Sequence, residues 1–524
     1  MRTASGGYRE KQMKETFECP EWLKRGVMYQ IFPDRFSRNA SVPLPKQSKD
    51  WVFRQDWGGE PEKGPDETGE VRCRDFFGGN LKGIQDRLPY LEELGVTVIY
   101  LNPIFEAYSN HRYDTADYEQ IDPLLGSEED FCSLCAEAGK RGIRIILDGV
   151  FNHTGNDSRY FNKEGRYPDL GAYQSKASPY YSWYRFSDYP GEYESWWGIK
   201  TLPQVDENCE SYLDYMVRNH DSIVRRWLRL GASGWRLDVV DELPDQFLEE
   251  LRLAVKEEKP DAAVIGEVWE DAATKVSYGQ QRHYLDGTQL DSVMNYPLKD
   301  AILRYVAGKG PYGESIPGLG DGALLVQTVN QLKEHYPKTV FNGLMNLLGT
   351  HDTPRIYTLL SENGKETEQG RQRLFLAMLP WALLPGIPCI YYGDELGMQG
   401  GRDPENRRCF CPEQGQREIF LHYKKLMAFR NRITRLEQME LKRAEADGGF
   451  CLFVRESGGE QLIFALNMEE APRLLPLEGK TISDFFISGN VRFSGLDAFE
   501  IGSGSGVAAV LKKQGGSVEA EAEQ

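Results

Sequence analysis

Short apolar runs rich in β-branched residues alternate with stretches of helical period along most of the chain. Val27–Phe32, Val96–Leu101, Ile143–Val150, Gly234–Val240, Ala263–Trp269, Asp291–Tyr296, Phe341–Leu348 and Cys389–Gly393 predict strands. Leu81–Leu94, Glu128–Arg141, Tyr212–Leu230, Pro244–Glu258, Leu324–His335, Arg371–Leu384 and Glu418–Asn431 predict the helices between them. Eight strands in alternation with helices point to a parallel α/β fold, and eight is the number that closes a (β/α)8 TIM barrel. The competing arrangement is a doubly wound open sheet. It is disfavoured because no Gly-rich phosphate loop follows the first strand.

Two segments break the rhythm. Residues 151–204, after the third strand, are too long for a βα loop and read as an inserted small domain, domain B. Tyr180, Tyr181, Trp183, Tyr184, Phe186, Tyr189, Tyr193, Trp196 and Trp197 crowd it, either as the core of a small module or as platforms for sugar rings. From Leu436 the pattern becomes alternating (FCLFVRE, QLIFALN), which predicts a C-terminal antiparallel β domain over 436–513. The expected organisation is an N-terminal extension (1–21), barrel (22–150), domain B (151–204), barrel (205–435), β domain (436–513) and disordered tail (514–524).

Composition narrows the function. The net charge of −18 disfavours a nucleic acid or an acidic membrane as partner. The nine cysteines are odd in number and scattered, which does not make a disulfide framework. Cys132 and Cys135 form a C-x-x-C inside a helical pattern and read as helix-face thiols rather than a redox pair. The first residues lack the apolar core of a signal peptide, and no 18-residue apolar window occurs. A cytoplasmic protein is expected.

In a barrel the working face lies at the C-terminal ends of the strands, so polar residues there carry the most information. In GWRLDVVDE, Arg236 and Asp238 are two apart and share a strand face, so the guanidinium can hold the carboxylate. An ion pair that merely closes the strand is the alternative. Glu267 in GEVW follows a glycine at an apolar strand end, where burial raises a carboxyl pKa and suits a proton donor, although a helix-capping glutamate would read the same. LLGTHD puts His351 and Asp352 in the loop past the seventh strand, and DGVFNH puts Asp148, Asn152 and His153 at the third. Neither H-E-x-x-H nor G-x-S-x-G appears. Several carboxylates with neither a metal motif nor a nucleophilic Ser or Cys point to glycoside chemistry.

DGVFNH, GWRLDVVDE, GEVW and LLGTHD, in that order, resemble the four main motifs of the α-amylase family, glycoside hydrolase family 13, on its neopullulanase, cyclomaltodextrinase and amylopullulanase side. GVMYQIFPDRFS, NHRYDTADYEQIDP and GIPCIYYGDELGMQGGRDPENRR extend the likeness, which runs from Trp22 to Asn431. It implies a retaining α-glucan hydrolase acting on α-1,4 bonds of maltooligosaccharides, with α-1,6 bonds, pullulan and cyclodextrins as further candidates. Asp238 matches the family's nucleophile, Glu267 its acid/base and Asp352 its transition-state stabiliser. Arg236 matches the nucleophile's supporting arginine, His153 and His351 sugar-binding histidines, and Tyr113 a stacking tyrosine. Asp148 matches a largely structural aspartate. Asp241 and Glu242 match acceptor-side positions, where the neopullulanase pattern has Asn-Glu and this chain Asp-Glu.

A transglycosylase of the same fold is the nearest rival. A non-catalytic relative, such as a carbohydrate-binding protein or a transporter heavy chain, would be expected to lack the acidic triad. No cofactor is expected. Several relatives hold calcium after the first strand, but SRNASVPLPKQSKDW is poor in its ligands, and a structural Ca²⁺ is the one metal left open.

Overall fold

A computed structural model describes residues 17–43, 50–64, 73–361, 365–495 and 497–512. The tail expected to be disordered (514–524) and most of the N-terminal extension (1–16) lie outside the described residues. Eight parallel strands close into a barrel in chain order: β1 (Met28–Ile31), β2 (Val98–Leu101), β3 (Arg144–Gly149), β4 (Gly234–Leu237), β5 (Ala263–Gly266), β6 (Ser292–Asn295), β7 (Met345–Leu347) and β8 (Ile387–Tyr391). β8 pairs back onto β1, so no strand edge is left open.

The pleat sorts the side chains by parity. Val98, Tyr100, Ile146, Ala263 and Ile265 pack with Met294, Met345 and Leu347 inside the barrel. Their neighbours Ile99, Leu101, Ile145, Leu147, Trp235 and Val264 face the outer helices. Asp148, Arg236, Asp238 and Glu267 continue the inward parity at the strand ends, so the alternation that builds the core also aims these four groups at the barrel mouth. Gly266 has a local reason. A Cβ there would lie 2.5 Å from Leu290 and 3.1 Å from Val240.

Several helices differ from the sequence expectation. Leu81–Leu94 is two helices, Leu81–Asp86 and Leu88–Glu93, because Pro89 cannot continue a helix but suits the first turn of a new one. Tyr212–Leu230 is interrupted. A turn of π-helix at Asp214–Arg218 ends it, and it restarts at Ile223–Arg229. The pattern also missed the helix after β6, Tyr296–Ala307, which begins where the strand was expected to end. Asn295 caps it by accepting from the Leu298 amide, and Pro297 sits in its first turn. Phe341 closes a short helix, Lys338–Phe341, and only Met345–Leu347 is strand. Cys132 and Cys135 are free thiols on the helix Glu128–Lys140.

The segment after β3 returns to its own start. His153 bridges Gln204, and the Val205 amide donates to the Asn152 carbonyl. Its aromatics divide between the two expected roles. Tyr160, Phe161, Trp183, Tyr184 and Tyr193 are buried against one another, whereas Trp197 is exposed. The C-terminal sheet is antiparallel: Glu440–Asp447, Phe450–Ser457 and Glu460–Asn467 pair in sequence, then Ser505–Lys512 and Thr481–Ser488 follow.

Arg455 fastens that sheet to the barrel. It is buried and donates to the carbonyls of Leu383, Leu436 and Met439, at the end of the helix Glu368–Leu383 and in the connection that follows the last barrel helix. Arg455→Ala orphans three buried acceptors and is expected to lower unfolding stability by about 3 kcal/mol, roughly one per acceptor. Chemical denaturation of the purified variant measures the loss, and an unchanged midpoint contradicts it.

Candidate active site

Arg236 is the centre of the mouth of the barrel. It is fully buried on β4, in register with Asp148 on β3 and Ile265 on β5. One guanidinium nitrogen binds Asp148 at 2.8 Å and Asp238 at 2.7 Å, and the other binds Glu267 at 2.9 Å. Its Nε lies 3.5 Å from the Met294 sulfur. Asp148 also accepts from the hydroxyls of Tyr100 and Tyr113, at 2.6 and 2.7 Å, so both carboxylate oxygens are engaged.

Asp238 lies one residue past β4, and its amide donates to the Gly149 carbonyl. The next residue, Val239, is in the left-handed region at φ 39°, an unusual conformation for a β-branched side chain. The bend aims the Val239 amide at Glu267 Oε2, 3.0 Å away. Glu267 Oε1 accepts from the Trp269 indole at 3.2 Å. The apolar surroundings expected for Glu267 are therefore corrected. It is buried, but a guanidinium, an amide and an indole surround its carboxyl group.

Asp352 lies in the loop after β7, 3.2 Å from His351 Nε2 and 3.7 Å from Arg407. Burial and the charge of Glu267 push its carboxyl up to about 7, against the pull of Arg407 and Arg236. Burial also pushes Asp238 up, reinforced by Glu267 and Asp148 and opposed by Arg236. Four acids share this mouth with two buried arginines, and both Asp238 and Asp352 are pushed up by burial first and by neighbouring carboxylates second.

His351 takes its orientation from the opposite wall. Its Nδ1 meets the side-chain amides of Gln30 (2.9 Å) and Asn102 (3.3 Å), both donors, so Nδ1 accepts and Nε2 carries the proton shared with Asp352. Tyr113 stacks on the ring at 5.2 Å with the planes 2° apart. His153 binds the Tyr113 carbonyl through Nε2 (3.1 Å) and stacks on Trp196. Burial holds His153 down at about 4, and burial with the nearby arginines holds His351 well below the ordinary histidine range.

Asp241 and Glu242 lie on the rim. Asp241 binds the Tyr284 hydroxyl at 2.7 Å and Lys275 at 2.8 Å, and Glu242 accepts from Trp197 at 3.2 Å and from Tyr278. The structure thus gathers Asp148, Asp238, Glu267 and Arg236 directly, with Tyr113, His351, Asp352 and His153 linked to them in a chain of contacts. Gln30, Asn102, Asn406 and Arg407 were not singled out from the sequence. Asn406 and Arg407 hold the His351 carbonyl at 2.7 and 3.2 Å, and their segment GRDPENRR was quoted only as part of a likeness. A stack of Tyr296, Trp269 and Tyr312, with Arg402 over the last ring, leads outward from Glu267.

Asn39 and Asp50 in the segment after β1, and Asn152 after β3, are the residues whose oxygens could contribute to a calcium site. Asn39 Oδ1 accepts from the Ser41 amide, Asp50 accepts from Tyr108, and Asn152 Oδ1 meets the His153 ring. They do not converge on the six to eight ligands of a calcium cage. Among the described residues no group of three or more His, Cys, Asp or Glu side chains is placed to hold a metal ion. No helix among them is long and apolar enough to cross a membrane.

The sequence profile of the α-amylase catalytic domain matches residues 30–409. An amylopullulanase of Thermoanaerobacter thermohydrosulfuricus is 39% identical over 482 residues, covering 84% of this chain and 32% of that protein. The chain thus spans about a third of the length of that relative. A cyclomaltodextrinase of Geobacillus thermopakistaniensis is 34% identical over 474 residues, covering 88% of this chain and 72% of the relative. Among solved structures, cyclic α-maltosyl-(1→6)-maltose hydrolase of Arthrobacter globiformis, in complex with that sugar, superposes with a TM-score of 0.76 at 29% identity. It covers 94% of this chain and 100% of its own.

Burial disfavours the charged imidazolium, so both His153 and His351 are expected to stay neutral from pH 8 to pH 5. Histidine-labelled protein followed by NMR tests this, and either ring titrating near its ordinary value of about 6.5 contradicts it.

Proposed function

The chain belongs to the α-amylase family, and from that premise we propose that it is a retaining α-glucan hydrolase acting on α-1,4-linked maltooligosaccharides, with α-1,6 bonds included. The observation that carries the proposal is the single guanidinium of Arg236 holding Asp238 and Glu267 side by side. Retaining glycosidases keep their two carboxyls about 5–5.5 Å apart, whereas inverting ones leave about 6.5–9.5 Å for a water. Two acids tethered to one guanidinium favour the close arrangement. Relatives named for cyclomaltodextrin, for amylopullulan cleavage and for a cyclic (1→6)-linked maltosyl sugar support the substrate class.

In the proposed reaction Asp238 bonds to the anomeric carbon as the bond from that carbon to the glycosidic oxygen breaks. Glu267 gives its proton to the departing oxygen. Arg236 stabilises Asp238 as the charged attacking group. Asp352, kept near the sugar by His351 and Arg407, faces the positive charge that grows on the ring. Glu267, now a carboxylate, takes a proton from water. The water oxygen bonds to the anomeric carbon as the Asp238 ester bond breaks, and both acids return to their starting states. The neutral histidines position Asp352 and Tyr113 beside the sugar without adding charge, and Tyr113 gives the ring an apolar face. Cytoplasmic action is part of the proposal and rests on the odd, scattered cysteines.

Asp238→Asn and Glu267→Gln are near-isosteric. Each is expected to fold normally and to lose turnover by about a thousandfold or more on maltooligosaccharides. NMR of the first wild-type product should show the α anomer. Early β product, or near-wild-type turnover in either variant, rejects the assigned roles.

We further propose that catalysis requires no metal, since Arg236 supplies the fixed positive charge among the acids and the candidate calcium-ligating oxygens of Asn39, Asp50 and Asn152 face other partners. Treatment with a chelator followed by desalting is expected to leave activity and melting temperature unchanged. Activity lost with the chelator and regained with Ca²⁺ contradicts this.

A further inference from the structure

The insert after β3 is closed at its neck by a chain of buried polar groups. Asn152 stands where the chain enters the insert, and Glu207 stands just past its return, 55 positions later. Asn152, His153 and Glu207 are all buried. The side-chain amide of Asn152 lies between the other two, 3.2 Å from Glu207 Oε1 and 3.2 Å from His153 Nδ1. The opposite nitrogen of the ring, Nε2, lies 3.1 Å from the Tyr113 carbonyl. Tyr113 in turn stacks on His351 and donates its hydroxyl to Asp148. Glu207 has no part in the bond-making and bond-breaking steps of the proposed reaction, yet its carboxyl group ends a chain that leads to the catalytic cluster.

The donors and acceptors of this chain decide where its protons sit. A carbonyl oxygen only accepts, so Nε2 of His153 must carry a proton. A neutral imidazole has one N–H, so Nδ1 is then an acceptor and needs a donor. With Asn152 Nδ2 toward Glu207 and Oδ1 toward the ring, Nδ1 faces a second oxygen. Only an imidazolium satisfies that arrangement, with Glu207 ionised as its counter-charge. Both charges would then be buried and held apart by a neutral amide, so desolvation would penalise each of them. Turning the amide over exchanges its NH2 group and its oxygen within the same space. Nδ2 then donates to Nδ1, and Oδ1 faces Glu207. Two oxygens share a hydrogen bond only when one carries a proton, and of this pair only the carboxyl can. Burial agrees with the neutral set: it pushes Glu207 up to about 8, against hydrogen bonds from its own amide and Asn152, and it holds His153 down at about 4. Of the nearby charges, Asp206 adds to the rise of Glu207, and Arg185, paired with Asp206 at 3.0 Å, opposes it.

We propose that Glu207 is a positioning residue that works as a neutral acid: its hydroxyl donates to the Asn152 carbonyl, the Asn152 amide donates to His153 Nδ1, and His153 Nε2–H donates to the Tyr113 carbonyl. Every link then has one direction, so the ring that holds Tyr113 has one tautomer. His351 reaches the same tautomer by the same means, since the amides of Gln30 and Asn102 meet its Nδ1 and leave Nε2–H for Asp352. The link from this proton chain to turnover rests on the hydrolase reading above; the chain itself does not.

Protein labelled with ¹⁵N in its histidine rings reports the tautomer by NMR, with the His153 signals assigned by their loss in His153→Gln. Wild type at neutral pH is expected to show a neutral His153 ring with its proton on Nε2. Glu207→Gln keeps an uncharged N–H donor, and is expected to keep that tautomer and most of the wild-type kcat/KM on maltoheptaose. Glu207→Leu removes the donor. It is expected to lose the single Nε2–H form and about tenfold in kcat/KM, as an unmade buried hydrogen bond predicts. Circular dichroism checks that each variant folds. A wild-type His153 that is doubly protonated or carries its proton on Nδ1 overturns the proposal. So does Glu207→Leu with an unchanged tautomer or unchanged activity, or Glu207→Gln that loses as much as Glu207→Leu. Should Glu207→Leu fail to fold, wild type and Glu207→Gln decide alone, and a changed tautomer in Glu207→Gln overturns the chain. A wild type that cuts no maltooligosaccharide overturns the hydrolase reading, while the ring signals still decide the proton chain.

Discussion

A single buried cation organises the molecule at the point where it works. Arg236 lies where three barrel strands end, donating to Asp148 and Asp238 and forming an ion pair with Glu267. Each of these charges alone would cost several kcal/mol to bury. Together they are affordable only because planar guanidinium donors reach several acceptors at once, which a lysine ammonium could not do with the same geometry. The remaining capacity of the cluster is filled by neutral donors, the hydroxyls of Tyr100 and Tyr113 and the amide of Val239. One cation against three acids leaves the set short of positive charge, and burial together with the neighbouring carboxylates pushes Asp238 upward against the pull of Arg236.

The barrel makes this cluster cheap to place. Inward parity on β3, β4 and β5 gives an apolar core until the last position, then gives Asp148, Arg236, Asp238 and Glu267 with no change of backbone direction. Strand pairing sets the register of Arg236 against Asp148, so the ion pair is specified by the same ladder that closes the sheet. Strain enters only at Val239, just past the ladder, where the chain must turn sharply to present its amide to Glu267. The rigid part of the site is thus built by repetition, and the irregular part is confined to the first residue of the connection.

The strands and the acids were legible in the sequence because each is a local signal: β-branched runs, and polar residues at their ends. Helices were legible where amphipathic period was unbroken, as in Glu128–Lys140 and Asp245–Glu258, and not where proline or a π-turn divided one apparent period. The helix Tyr296–Ala307 was hidden because its first residues continue an apolar strand without a gap. Gln30, Asn102 and Arg407 were illegible for another reason. They reach His351 and Asp352 from β1, from the end of β2 and from the loop beyond β8, and only closure of the barrel brings those ends together. The surroundings of Glu267 were misread likewise, since its polar partners come from the neighbouring strand β4 and from two residues further along its own connection.

The groups around the barrel mouth differ in how firmly the fold holds them. Around His351, Tyr113 and His153 the groups are largely enclosed, stacked and hydrogen-bonded to one another and to the barrel, which fixes their positions. Around Glu242 the groups, Trp197 and Tyr278, are exposed, carried on the insert after β3 and on a hairpin after β5 (Val276–Ser277 with Gln280–Gln281), and held by a single carboxylate. A sugar that is to be attacked needs fixed geometry, because small errors in approach cost rate steeply. The proposed attack at the anomeric carbon therefore falls to the strand-bonded groups, while the insert and the hairpin, which no barrel ladder constrains, are the parts that can vary in length and composition around the same centre.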